Sequence, residues 1–151
     1  MARILSKTQE QEIFKSIPAS YTIESVAFTA SKIYPNQMTA EHSSYPVVTI
    51  NFSQDGLQGP LRDLVDGVPY YKSMMTIHVL AQNSGVLSGP VIARGIIQAI
   101  ITAVSLWVTP ITGGTHIFDA ETDIHPMQNL GPLPDGRSIF DYVISIDIYH
   151  T

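Results

Sequence analysis

Hydrophobic and polar residues alternate along three segments of the chain, and each alternation predicts a β-strand. The segments are Val47–Phe52, Tyr70–Gln82 and Ile139–Tyr149. Since successive side chains of a strand point to opposite faces of its sheet, each segment has one predominantly apolar face. In the last segment, isoleucines and aromatic residues alternate with polar residues that include Asp141 and Asp147. We therefore expect one face of the sheet to form the core and the other to be partly in contact with water.

Two further strands are predicted from weaker patterns. Tyr21–Ala30 is rich in β-branched and aromatic residues, which favour strands, although its alternation is imperfect. Thr115–Thr122 is predicted as a short strand. The sequence therefore predicts five strands.

Three segments rich in proline, glycine and small polar residues are predicted as loops. They are Tyr34–Tyr45, Gln54–Pro69 and His125–Gly136. The second has room for at most one helical turn, at Leu61–Val65. Long connections in compact domains often carry binding contacts.

Two helices are predicted from their start and stop signals. Ser6 and Gln9 have the spacing of a capping box, and helix-forming residues follow over Thr8–Ser16 until Pro18. Ser88 is placed to cap a second helix with a proline in its first turn.

The second helix, predicted over Val91–Val108, is apolar nearly all round. Among its eighteen residues only Arg94 and Gln98 are strongly polar. A membrane span is the competing interpretation, but Arg94 lies inside the run and the segment is at the short limit for a span. We favour a helix buried on two sides, by its own sheet and by a neighbouring subunit or domain. This pattern therefore indicates oligomerisation.

The order of these elements predicts an α+β fold. Strands grouped around one long helix favour a mostly antiparallel sheet with that helix packed on it and a short N-terminal helix beside it. At 151 residues, the chain has the usual size of a single domain, here residues 1–151.

Composition narrows the classes of function. Hydrophobic residues make up 44% of the chain and charged residues only 14%, so we expect much of its surface to be covered by partners. The net charge is -5 and the basic residues are scattered, which argues against tight binding to nucleic acid. The absence of cysteine excludes disulfides, thiolate zinc sites and cysteine nucleophiles. The first ten residues lack the apolar core of a signal peptide, so an intracellular origin is expected.

Five potential metal ligands lie close together in one stretch of the sequence, which raises the possibility of a metal site. In an extended segment, however, His116 points away from the face that holds the acidic residues, so the set does not converge without a turn. The five residues are His116, Asp119, Glu121, Asp123 and His125. We expect a solvated acidic edge with no metal, and keep a small metal-dependent hydrolase as the alternative of another class.

Other catalytic patterns are weak. No nucleophile elbow supports a Ser-His-Asp triad, and the segments Gly113-Gly114 and Ser84-Gly85 are too short for a phosphate-binding loop. We therefore predict a non-catalytic protein with no catalytic residue and no cofactor.

The predicted arrangement resembles the tail terminator, or tail-completion, proteins of long-tailed bacteriophages and related viruses. The resemblance covers most of the chain as a pattern of elements. Its points are the Ile13–Ile17 helix, the strand pair ending in Tyr70–Gln82, the Ser88-Gly89-Pro90 helix start, and the Gly136-Arg137-Ser138 turn into Ile139–Tyr149. The nearly continuous apolar helix departs from the more polar outer face expected of such a protein.

The resemblance implies a structural protein of the virion, located in the tail or neck and assembled in the host cytoplasm. Such a protein forms a homo-oligomeric ring, of six subunits by resemblance, on the end of the tail tube. It stops polymerisation of the tail tube protein and joins the tail to a head-completion or connector protein. DNA passes through the ring without specific binding, and no membrane is involved. A head-completion or neck protein, or another tail-tube component, is the closest alternative.

Candidate partner-facing residues lie in the long loops, where leucines occupy positions with no evident core face. The loops concerned are Gln54–Pro69 and His125–Gly136. The candidate interface residues are Leu57, Leu61, Leu64, Tyr70, Leu130 and Leu133.

Overall fold

The structure is a computed structural model that describes residues 7–33, 45–53, 64–65, 68–69, 71–104, 110–111, 115–132 and 138–150. Its fold is α+β, as predicted: a 16-residue helix packs on a mostly antiparallel sheet, and a short helix precedes them.

The described helices are α1, Lys7–Ser16, and α2, Gly89–Val104. The described strands are β1 Ser20–Ile23, β2 Val26–Thr29, β3 Ser31–Ile33, β4 Val47–Ser53, β5 Leu64–Val65, β6 Val68–Pro69, β7 Tyr71–Gln82, β8 Pro110–Ile111, β9 Thr115–Ile124, β10 Gln128–Pro132 and β11 Ser138–His150.

The main sheet has the strand order β3-β4-β7-β11-β9-β8, and β10 pairs with β11 beyond the end of β9. Every pairing in it is antiparallel except β3 with β4, which is parallel. The two long strands β7 and β11 lie at its centre and pair over twelve positions. These strands have the clearest alternation in the sequence, so pattern and position in the sheet agree.

Helix α2 covers one face of the sheet and forms the main core with it. Its buried residues recur at helical spacing, as in Ile92, Ile96 and Ile100, and belong to the same cluster as Ile77 of β7 and Ile146 of β11. Burying an isoleucine side chain stabilises a protein by about 1.5–3 kcal/mol, so this layer dominates the stability. Among the described residues, no helix is long and apolar enough to cross a membrane.

A lysine fastens α1 to the edge of the sheet. The Nζ of Lys32 in β3 donates hydrogen bonds to the carbonyl oxygens of Phe14, at 3.0 Å, and Ile17, at 2.7 Å. The same Nζ lies 4.4 Å from the centre of the Phe14 ring. A cation at a helix C-terminus satisfies carbonyls that have no partner within the helix. Burial of the ammonium lowers the pKa of Lys32.

The segment Tyr21–Ala30 is a hairpin and not the single strand that its composition predicts. β1 and β2 pair antiparallel around a two-residue turn at Glu24 and Ser25, whose φ angles are 48° and 67°. Turns of this kind usually contain Asn, Asp or Gly, because other residues rarely adopt positive φ. Because Glu24 and Ser25 are not residues of that kind, the reversal could not be predicted from the sequence.

Two loop predictions are also corrected. Residues 128–132 of the predicted loop His125–Gly136 form β10, because their backbone pairs with β11 despite Gly131 and Pro132. The helical turn predicted at Leu61–Val65 is wrong where it is described, since Leu64–Val65 is paired as a strand with β6. Within the predicted loop Tyr34–Tyr45, residues 34–44 lie outside the described residues.

The second face of the sheet, opposite α2, is less exposed to solvent at one end than the alternation of hydrophobic and polar residues predicts. Asp141 is only 5% exposed, although it lies on the face expected to be in contact with water. Beside it, Val47, Leu80 and Ile139 form a small buried cluster against which Tyr45 packs. A second, minor core therefore lies on this face.

Candidate functional site

The β1–β2 hairpin packs against α2 on the side that the sheet leaves open. Gly95 permits this close contact, because a Cβ added there would lie 2.7 Å from Cγ1 of Ile23. Ile23 is itself buried in the main core. The second side of α2 is thus covered in part by its own chain. The second side was expected to be covered by a neighbouring subunit or domain, whereas the hairpin of the same chain covers part of it and leaves Val91, Arg94 and Gln98 exposed.

A groove of about 480 Å³ lies between the hairpin and the N-terminal half of α2. Thr22, Ile23 and Glu24 of the hairpin form one wall, and Met127 closes one end. The helix contributes Pro90, Val91, Arg94, Gly95 and Gln98. Apolar contacts alternate here with one exposed guanidinium and one exposed carboxylate. A groove of this composition suits a polypeptide partner.

A rigid turn leads into the groove from the end of β7. The Ser84 hydroxyl accepts hydrogen bonds from the amides of Val86, at 3.2 Å, and Leu87, at 2.9 Å. The Asn83 side chain accepts another from the amide of Gly89, at 2.7 Å. These bonds fix the turn while leaving the Val86 side chain 73% exposed. Fixing an apolar side chain in water has no folding benefit, so Val86 is a candidate contact residue.

The edge of the sheet next to the groove is interrupted. β9 ends at Ile124 and β10 begins at Gln128, and the His125 amide between them donates to the carbonyl of Val143, at 3.0 Å. The two strands therefore follow β11 one after the other, with a bulge between them. Ile124 is 45% exposed and Leu130 is 49% exposed.

The structure describes four large hydrophobic side chains as exposed: Val86, Val91, Ile124 and Leu130. Val91 lines the groove, Val86 precedes the same helix, and Ile124, three residues before Met127, pairs with Ile144 on the face that α2 covers. Leu130 follows Asn129, the partner of Phe140, so its side chain lies on the second face of the sheet, as Asp141 does. We call Val86, Val91, Ile124 and the groove the apolar corner.

Of the predicted interface residues, only Leu130 has a described side chain, and it is exposed on the second face of the sheet, away from the apolar corner. The backbone of Leu64 lies in β5. Leu57, Leu61, Tyr70 and Leu133 lie outside the described residues. The groove was missed from the sequence because it exists only when the hairpin folds onto α2. The sequence feature that could have indicated the groove is the pair Pro90 and Val91 next to a predicted helix start.

The residues of the metal hypothesis are only partly described. His116, Asp119 and Glu121 lie in β9, where the structure gives the backbone alone. Asp123 is exposed, and the Nε2 of exposed His125 lies 3.1 Å from the Ser145 hydroxyl. Among the side chains that are described, no three His, Asp or Glu groups come together.

A histidine and an aspartate pair on the second face of the sheet. The Nδ1 of His78 lies 3.2 Å from both carboxylate oxygens of Asp141. Thr49, directly opposite His78 in β4, is fully buried, and its hydroxyl has no hydrogen-bond partner within the described part of the chain. A carboxylate can orient an imidazole for proton transfer, but the buried threonine hydroxyl makes no hydrogen bond to it and is closed to a substrate. The pair instead joins β7 to β11 and satisfies a buried carboxylate.

No model of a known protein family matches the chain, and no curated protein is similar to it in sequence.

Proposed function

We propose that this chain is a non-catalytic virion assembly protein that forms a homo-oligomeric ring at the end of a phage tail tube. The ring stops polymerisation of the tube and joins the tail to the head connector. The phage role and a ring of six subunits come from the resemblance in element order. The apolar corner supports the broader role in assembly.

The observation that carries the proposal is the concentration of exposed apolar side chains around one groove. A monomer gains nothing by leaving Val86, Val91 and Ile124 in water, whereas a subunit contact would bury them. The groove beside them adds Arg94 and Glu24, which can fix the orientation of a partner. Interfaces commonly have this apolar centre and polar rim.

The acidic character of the chain fits a ring through which DNA moves. A net charge of -5 gives no electrostatic attraction to phosphates. DNA would therefore slide through such a ring without being held. A head-completion or neck protein has the same requirements, and its position in a particle image distinguishes it from a terminator.

Val86→Asp tests the role of the apolar corner. Burying a valine contributes about 1.5–3 kcal/mol, so a charge there should weaken association at least tenfold. Native mass spectrometry and light scattering would measure the oligomer, and thermal unfolding would check that the subunit stays folded. Thr29→Asp is the matched control, because Thr29 is exposed in β2 and outside the groove.

Two results would overturn the proposal. One is a wild-type chain that stays monomeric at high concentration and is absent from purified virions. The other is a Val86→Asp variant that assembles as well as wild type and joins heads to tails normally.

A further inference from the structure

We infer that the sheet of one copy continues into the sheet of the next, through antiparallel pairing of β10 with β3 of the neighbouring subunit. This inference rests on the proposed ring and specifies the contact between its subunits.

The sheet has two different edges with unpaired backbone. Among the described residues, β3 pairs with β4 alone at one edge, and β10 pairs with β11 alone near the other. A closed ring is built from a heterologous contact, in which two different surfaces of one subunit fit each other. The opposite edges of a single sheet meet that requirement.

The strand directions make the contact antiparallel. β3 runs parallel to β4, and three antiparallel steps follow, from β4 to β7, to β11 and to β10. β10 therefore runs opposite to β3. If the next copy continues the sheet with its helix on the same side, its β3 meets β10 in the more stable antiparallel orientation.

The backbone at both edges is available for this pairing. The Ser31 amide donates to the carbonyl of Pro46, at 3.2 Å, so in the parallel ladder the neighbouring Lys32 amide and carbonyl point outward. At β10, the Gly131 amide is already bonded to the Asn129 side chain, at 2.9 Å. Pairing at β10 therefore involves the residues before Gly131, around exposed Leu130.

The lack of charged side chains along β10 favours a second copy of this chain as the partner that pairs with it. Residues 126–132 contain no charged side chain, whereas exposed strand edges are commonly protected by lysines or other charges. Two copies that each carry a net charge of -5 repel one another least where their contact is neutral. At the other edge, the Lys32 ammonium is held by α1 and does not block the approach.

One row of residues crosses the sheet from edge to edge and provides the test positions. Successive partners in the row are Ser31, Val47, Leu80, Asp141 and Gln128. Its two ends are four strand spacings apart, or about 19 Å. Disulfides need Cα atoms within about 7 Å, so cysteines at the two ends of one chain cannot join. A disulfide between these positions must link two subunits.

The experiment is oxidation of the double variant Ser31→Cys/Gln128→Cys. The chain has no cysteine of its own, and both positions are exposed. We expect a ladder of linked subunits on a non-reducing gel, ending at the size of the ring that native mass spectrometry records. Each single variant should remain unlinked, and so should the control Ser31→Cys/Thr102→Cys, which places one cysteine on α2. Leu130→Cys in place of Gln128→Cys tests a register shifted by two residues, which keeps both cysteines on the same face of the sheet.

The outcomes separate this inference from the proposed function. If rings form but neither pair of cysteines forms a disulfide, β10 does not contact β3 of the next subunit. The inference would then be wrong, although the proposed ring would remain supported. Linked dimers from Gln128→Cys alone would mean that β10 pairs with itself, which also overturns it. A chain that is monomeric by mass and absent from virions would refute the ring itself.

Discussion

Replacing Gly95 with alanine should destabilise the protein, although the same change stabilises most helices. In a helix interior, alanine is favoured over glycine by about 1 kcal/mol. At Gly95, however, the added Cβ would lie 2.7 Å from Cγ1, 2.9 Å from Cγ2 and 3.0 Å from Cδ1 of Ile23. Ile23 is only 6% exposed and cannot turn away into water. The hairpin or the helix must therefore move.

The expected loss can be worked out from these two opposing effects. Overpacking of a well-packed core costs about 1–3 kcal/mol. Subtracting the helical preference for alanine leaves a net destabilisation of about 1 kcal/mol. In a chain of this size, that loss lowers the melting temperature by about 3 °C. Guanidinium denaturation followed by far-UV circular dichroism would measure it.

A double-mutant cycle with Ile23→Ala isolates the contact. Ile23→Ala alone should cost about 2–5 kcal/mol, but it removes all three atoms that crowd position 95. In that background, Gly95→Ala should become stabilising. Gly85→Ala is the control, because a Cβ there has no atom within 4 Å. If Gly95→Ala stabilises the wild type by about 1 kcal/mol and the two changes are additive, the packing of the hairpin on α2 is wrong.

Two further substitutions test the buried polar groups. Tyr21→Phe removes the hydrogen bond that the Tyr21 hydroxyl donates to the Pro18 carbonyl, and should cost about 1 kcal/mol at neutral pH. Burial raises the pKa of Tyr21 above its unfolded value, so its contribution is complete below about pH 10 and is lost as the pH rises further. The phenylalanine variant should therefore lose less stability between about pH 10 and pH 12, and an identical alkaline decline in both proteins would contradict this. Thr49→Val should stabilise by about 1 kcal/mol, because it removes a buried hydroxyl without a hydrogen-bond partner in the described structure, whereas Thr76→Val on the neighbouring strand should have little effect. Urea denaturation of both variants would measure the difference, and a destabilised Thr49→Val would contradict the assignment.

The regular parts of this fold were predictable because their hydrophobic patterns extend over many residues. β7, β11 and α2 each present one apolar face over three or more turns or alternations, so local pattern and tertiary packing agree. The hairpin was not predictable, because Glu24 and Ser25 adopt positive φ only within the folded protein. β10 was missed for a related reason: Gly131 and Pro132 favour a loop locally, but pairing with β11 outweighs that preference.

The candidate site was not predictable from the sequence. Leu130 was named as an interface residue because a leucine in a polar segment lacks a core face, and its side chain is exposed, but on the other face of the sheet. The groove depends on contacts between residues far apart in the sequence, Ile23 and Gly95, which no local pattern reveals. Arg94 was noticed as an interruption of an apolar helix, but its place in a groove required the fold.

The interruption between β9 and β10 also bears on how the chain avoids aggregation. Amyloid-like stacking generally requires six or seven consecutive strand residues without proline. Pro126 and Pro132 enclose only five residues of this edge, and neither proline can donate a backbone hydrogen bond. A stretch this short gives an incoming chain too few hydrogen bonds to start a fibril by itself. The two prolines therefore limit β10 to a short segment that can pair with a complementary strand of another subunit. They would also protect newly made chains from aggregation at high concentration before assembly.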